Sequence, residues 1–220
     1  MRNYFFPIAV SVAALVPALP APCAAAPPQR VEIAYELTRN GSAVAEVTDR
    51  LEHDGRSYRL SETWKGKGVF GLRGEAVGSS QGAIVADGLR PLKFEDKRPG
   101  RDTQQAEFDP AAKTPTLQRQ DRLSFIWTFA FAQPKGAVSI SVNDGKQTKS
   151  YTYEPAGREK VKTPAGEFDA LKFVKRRDKP EDKVTEIWFA ADRNFVPVRM
   201  LIVDKDGTRV DQVATKITAQ

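Results

Sequence analysis

Val31, Ile33, Tyr35 and Leu37 alternate with Glu32, Ala34, Glu36 and Thr38. A period of two is that of a strand with one buried face. Val138, Ile140 and Val142 alternate with Ser139, Ser141 and Asn143 in the same way. Asn40-Gly41, Asp54-Gly55, Asp87-Gly88, Asp144-Gly145 and Asp206-Gly207 punctuate the chain. Such Asx-Gly pairs tolerate positive φ and close tight hairpins. They set off runs of roughly ten residues: Ala43–His53, Arg56–Lys65, Ala137–Asn143, Lys146–Glu154, Val196–Asp204 and Thr208–Ile217. The pattern predicts a mainly all-β fold. Its form is a single curved antiparallel sheet or half-barrel of about ten to twelve strands, curled to limit its edges. No linker or repeat divides the chain.

One segment departs from the period of two. Arg122–Ala132 is apolar nearly all round, flanked by Asp121 and Pro134. Asp121 is placed to accept free backbone N–H groups at a helix start, and Pro134 stops the helix. A helix without a polar face is buried on several sides, so the spacing predicts a helix lying in the concavity of the sheet. A further buried strand is the competing reading. Late in the chain, Ile187, Trp188 and Phe189, then Val196, Val198, Met200, Leu201, Ile202 and Val203, are apolar on both strand faces. Strands of that kind lie between two layers or line a cavity.

The first residues form a different kind of segment. Arg2 precedes an apolar stretch from Tyr4 to Leu19, and Ala21-Pro22-Cys23-Ala24-Ala25-Ala26 follows with small residues. That order is expected of a signal peptide over residues 1–26, leaving residues 27–220 as one β-rich domain. The core is shorter than the about 20 apolar residues of a permanent span. Cys23 is the only cysteine. Pro20 and Pro22 stand where a lipidation signal has small residues, which favours a cleaved leader over a lipid-anchored Cys23. The remaining chain then has no disulfide, and export places it in the periplasm without a transmembrane anchor.

The chain carries 34 basic and 28 acidic residues. The excess is mild, and an exported protein meets no nucleic acid. Its densest basic stretch, Lys172–Lys179, reads as a solvated hairpin tip, or as a contact for anionic headgroups.

The residue types argue against most chemistry. Gly78-Ser79-Ser80-Gln81-Gly82 fits G-x-S-x-G, but that elbow needs a following helix and a later histidine. Ala83–Ala86 reads as strand, and the single histidine, His53, lies upstream. One histidine and no thiolate do not make a zinc site. Asp204-Lys205-Asp206-Gly207 lacks the spacing of a calcium loop. Glu62 shares its phase with Tyr58, Leu60 and Trp64 and is expected to face inward, where a carboxyl can serve as acid or base. No cofactor is expected.

Four motifs stand in order: Asp121-Arg122-Leu123-Ser124, Thr163-Pro164-Ala165-Gly166-Glu167-Phe168-Asp169-Ala170, Glu186-Ile187-Trp188-Phe189-Ala190-Ala191-Asp192 and Val196-Pro197-Val198-Arg199. Together they resemble an uncharacterised bacterial family of exported, β-rich envelope proteins, a domain of unknown function. The arrangement is also similar in shape to periplasmic lipoprotein carriers. The resemblance implies an exported protein without catalytic residues. Each motif has a structural reading too: Pro164–Gly166 a tight turn, Trp188 a core residue, Pro197 an edge or strand start, Arg199 a cross-strand partner of Glu186. Three functions stay open. One is binding or carrying an apolar or amphipathic envelope component, an amphipathic lipid for example, in a groove lined by Trp64, Phe125, Trp127, Phe129 and Trp188. Another is supporting envelope assembly through contact with an envelope protein. The third is hydrolysis by paired carboxylates.

Overall fold

The computed structural model describes residues 26–220. The leader and Cys23 lie outside the described residues. Six strands come first: β1 (Arg30–Arg39), β2 (Ser42–His53), β3 (Ser57–Gly66), β4 (Glu75–Val85), β5 (Gly88–Lys97) and β6 (Gln104–Glu107). A short β7 (Gln120–Asp121) leads into the helix α1 (Ser124–Ala132). Then follow β8 (Val138–Asn143), β9 (Thr148–Thr163), β10 (Gly166–Lys175), β11 (Val184–Ala190), β12 (Val196–Val203) and β13 (Arg209–Ala219). All belong to one sheet of 13 strands in the order β6-β5-β4-β3-β2-β1-β13-β12-β11-β10-β9-β8-β7. Every neighbouring pair is antiparallel except β7 and β8. The sheet therefore exceeds the expected ten to twelve strands and is a nearly closed barrel, not a half-barrel. Two of the 13, β6 and β7, are four and two residues long, too short to leave a period in the sequence.

The five Asx-Gly pairs all lie at strand ends, and each of their glycines has positive φ. At Gly88 space matters as well, because a Cβ would run into the Thr128 hydroxyl of α1. β9 runs on past Glu154, where the sequence reading ended it. A register shift opposite Leu171–Phe173 absorbs Ala156 and Gly157 as a bulge. Pro197 is the second residue of β12, at the strand start and beside another register shift. Its missing N–H costs no ladder bond where the pairing is already broken.

The two ends of the sheet meet through side chains. Gln120 Nε2 donates to the carbonyl of Leu89 on β5, 2.7 Å away, and to that of Thr116, also at 2.7 Å. The Leu89 N–H donates to Thr128 Oγ1 at 2.9 Å. Gln120 thus joins the β7 edge to β5 where no backbone ladder runs.

α1 starts at Ser124, two residues later than the apolar pattern suggests. Asp121 nevertheless caps it: one carboxylate oxygen accepts the N–H groups of Leu123 and Ser124, each at 2.8 Å. The other accepts the Ser80 hydroxyl at 2.6 Å, and Ser80 lies 3.0 Å from the Tyr58 hydroxyl. Ser80 of the G-x-S-x-G pattern is thus a mid-strand residue of β4 committed to this cap.

Trp188 is buried, as expected, but faces outward. It alternates with Ile187 and Phe189, which point into the barrel. On the outer face it lies under Lys172 and Arg199 and donates its indole N–H to Glu159. The expected Arg199–Glu186 pair does not form. Arg199 instead grips Asp211 of β13 with two hydrogen bonds, 2.9 and 2.7 Å long, while Glu186 lies 3.9 Å from Lys172. The fork of a guanidinium matches a carboxylate in this geometry, and Asp211 presents both oxygens.

Candidate functional site

α1 fills one end of the barrel. Phe131 meets His53, at the end of β2, with ring centroids 5.3 Å apart. Phe129 stacks on Phe189 at 4.7 Å and meets Phe173 edge-on at 4.9 Å. Trp127 is buried against the cluster that includes Tyr35, Val47 and Leu60. Beyond the first turn of α1 a cavity of about 400 Å³ remains. Arg98, Asp144, Lys175 and Lys183 stand at its rim. These belong to the connections after β5, β8 and β10, so the cavity opens at the end opposite the α1 plug.

The cavity has two unlike walls. Ile126, Val142, Tyr153, Ile187, Met200 and Ile202 form an apolar one, from α1 and strands β8 to β12. Asp49, Glu62 and Arg122 face it from β2, β3 and the entry to α1. Glu62 points inward, opposite Asp49 on β2 and Gly78 on β4. Arg122 reaches over β4 at Gly78, where a Cβ would stand 2.9 Å from its Nη2. The first glycine of G-x-S-x-G thus makes room for a guanidinium.

Arg122 Nη1 is 2.8 Å from Glu62 Oε2, and its Nε is 3.5 Å from Asp96 Oδ2. Arg98 holds the same Asp96 oxygen at 3.0 Å. These contacts balance charge without aligned hydrogen bonds. Arg122 Nε and Nη2, Glu62 Oε2, Asp49 Oδ1 and Trp64 Nε1 are buried, and none makes a hydrogen bond to protein. Buried polar atoms of this sort are costly unless something pairs with them. The polar wall can therefore receive hydrogen bonds from a bound molecule.

Burial holds the Asp49 carboxyl protonated well above the usual carboxylate range, and the negative charge of Glu62 pushes the same way. Below the ordinary value of about 3.9, both folded and unfolded chains carry that proton. As pH rises, the unfolded carboxyl ionises first, so stability falls until the folded group ionises too. Asp49→Asn keeps the shape of the side chain and cannot ionise. Its melting temperature relative to wild type is expected to rise as pH climbs above about 4. A difference that stays flat as pH climbs refutes the raised carboxyl.

Of the residues expected to line a groove, Trp64 and Phe125 do border the cavity. Trp127 and Phe129 are spent on packing the plug, and Trp188 is buried under Arg199 without lining the cavity itself. The sequence reading missed Asp49, Asp96, Arg98 and Arg122. A signal was present: Asp49 stands in phase with Val47 and Leu51, and Asp96 with Phe94, both inward positions. No helix among the described residues is long and apolar enough to cross a membrane.

Residues 30–214 match the model of a family described as Protein of unknown function (DUF3108). No curated protein matches the sequence. Among solved structures, a β-barrel-like protein of the domain of unknown function DUF1849 from Brucella abortus is 9% identical with a TM-score of 0.49. It matches over 87% of this chain and 98% of its own. A provisionally named lipoprotein from Parabacteroides distasonis is 14% identical with a TM-score of 0.42, covering 87% of this chain and 97% of its own. A provisionally named exported protein with a YmcC-like fold from Bacteroides fragilis is 14% identical with a TM-score of 0.41, covering 89% of this chain and 100% of its own.

Proposed function

The chain belongs to the DUF3108 family, and we propose that it is an exported, periplasmic, non-catalytic protein that binds an amphipathic component of the cell envelope. The observation that carries this reading is the two-walled cavity of about 400 Å³, closed by α1 and open at one end. Its volume is within the range of about 300–1,000 Å³ of small-molecule sites. The apolar wall suits an alkyl or isoprenoid body. The unpaired groups of Arg122, Asp49 and Trp64 suit hydroxyl, amide or ester groups along one side of that body. An anionic headgroup at the rim would meet Lys175 and Lys183, through attraction that salt screens.

Hydrolysis by carboxylates is the weaker reading. Arg122 and Arg98 stand against Glu62 and Asp96. Asp49 is left as a lone protonated carboxyl, and a glycosidase-type mechanism needs two carboxyl groups in complementary roles.

Native mass spectrometry of protein purified from the envelope is expected to show a bound small amphiphile. In titrations with an alkyl-chain series, affinity should grow by up to about 0.8 kcal/mol per CH₂ until the cavity is full. Trp64 should report binding by fluorescence. Met200→Trp puts extra ring volume into the cavity and is expected to weaken binding by at least about tenfold with little change in melting temperature. Absence of saturable binding at every chain length, together with a bare native mass, overturns the proposal.

A further inference from the structure

Among the described residues, three of the most exposed large apolar side chains sit in one short turn. They are Val69, Phe70 and Leu72, 74%, 41% and 89% exposed, on the 3-10 turn Gly68–Arg73 between β3 and β4. The turn is fixed at its root. The Lys67 N–H donates to the Val44 carbonyl at 2.9 Å, and its ammonium lies 3.2 Å from both Glu36 and Glu46. Gly66 has no Cβ, which leaves room for the Phe70 carbonyl to pack against it. A turn anchored in this way presents its apolar side chains to solvent by construction.

The surroundings are basic. Strand direction places the connections 67–74, 97–103, 144–147, 176–183 and 204–208 at this same end of the barrel. Together they carry 11 lysine and arginine residues against 7 aspartate and glutamate. Lys67, Lys97, Arg98 and Arg176 pair with carboxylates of the adjoining strands, while Arg101, Lys146, Arg177, Lys179 and Lys205 remain for headgroups. Three exposed apolar side chains on a short anchored turn, with unpaired cations on the connections of the same end, match the interface of an anionic bilayer. They fit a protein partner less well, since a stable protein interface buries on the order of 1,200 Å² or more.

We propose that this end of the barrel docks on an anionic lipid surface, with Val69, Phe70 and Leu72 entering the interface and the basic connections meeting the headgroups. Phe70 also borders a groove of about 310 Å³ that runs past Leu37, Val44 and Pro99 to Trp64 and Arg98. Trp64 and Arg98 line the main cavity as well. The Arg98 guanidinium lies over the Trp64 ring at 5.8 Å, so the groove beside the tip and the main cavity share one side-chain pair in their linings. Docking rests on the surface alone and does not require that the cavity be occupied.

The test is flotation of the purified protein with vesicles of phosphatidylglycerol and phosphatidylcholine, and with phosphatidylcholine alone. Wild type is expected to float with the anionic vesicles, less so as salt rises. The double variant Val69→Ser, Leu72→Ser should partition at least about tenfold less, equivalent to about 1.4 kcal/mol. Both side chains are exposed, so its melting curve and its binding of soluble amphiphiles should match wild type. Failure of wild type to float overturns the proposal, and so does a double variant that floats as well as wild type. Amphiphile titration gives the same result either way, which separates this failure from failure of the binding function.

Discussion

Trp127→Ala should cost at least about 3–5 kcal/mol of unfolding free energy, the range for truncating a large buried aromatic. The indole is 2% exposed and packs in the cluster with Tyr35, Val47 and Leu60. A typical domain holds about 5–15 kcal/mol in all, so the variant is expected to be partly unfolded at physiological temperature. Trp127→Phe keeps part of the ring volume and tests how much of the loss is packing. Urea denaturation should place it between wild type and the alanine variant. Equal midpoints for wild type and Trp127→Ala would mean that the plug does not bear on stability.

Asp121→Ala is the second large effect. The carboxylate is fully buried and accepts from Leu123 N–H, Ser124 N–H and the Ser80 hydroxyl. Loss of a helix cap alone costs about 0.5–2 kcal/mol. The Leu123 and Ser124 N–H groups, left buried without a partner, raise the total to about 2–5 kcal/mol, at about 1–3 kcal/mol each with partial relaxation. Asparagine caps helices as well as aspartate does, and the Ser80 hydroxyl can turn toward Tyr58 instead. Asp121→Asn should therefore stay within about 1 kcal/mol of wild type. Thermal melts of the two variants, side by side, check the contrast. The alanine variant should also lose amphiphile binding, since Phe125 and Ile126 of the first helical turn line the cavity.

How much of this was readable beforehand depends on the range of each signal. Asx-Gly turns act over four residues, and all five stand where strands end. Asp121 and Pro134 bracket the helix for the same reason, since capping is local. The inward phase of Glu62 was legible because Tyr58, Leu60 and Trp64 repeat it. Arg122 was not legible as a cavity residue. It lies just before α1 and reaches β4 only because the chain has turned back through the barrel to lay it over Gly78. Trp188 shows the same limit in another way. Alternation told that it was buried, but a strand apolar on both faces does not say which face is the outside. β6 and β7 leave no signal of their own, because pairs of four and two residues are stabilised by their neighbours rather than by their own pattern.

The first and last strands pair with each other in the middle of the sheet. Arg30 and Gln220 exchange two backbone hydrogen bonds, 3.1 and 2.9 Å long. β1 to β6 form one run of neighbours, and β7 to β13 form another. Each run can zip locally as it emerges from a ribosome, but the seam between them spans nearly the whole chain. Closing a loop of that length is the slow, entropically expensive step of assembly. Until it happens, β1 has one bare edge and the chain remains a pair of open ribbons. An open β1 edge is a template for pairing with another chain, and closing the seam removes it.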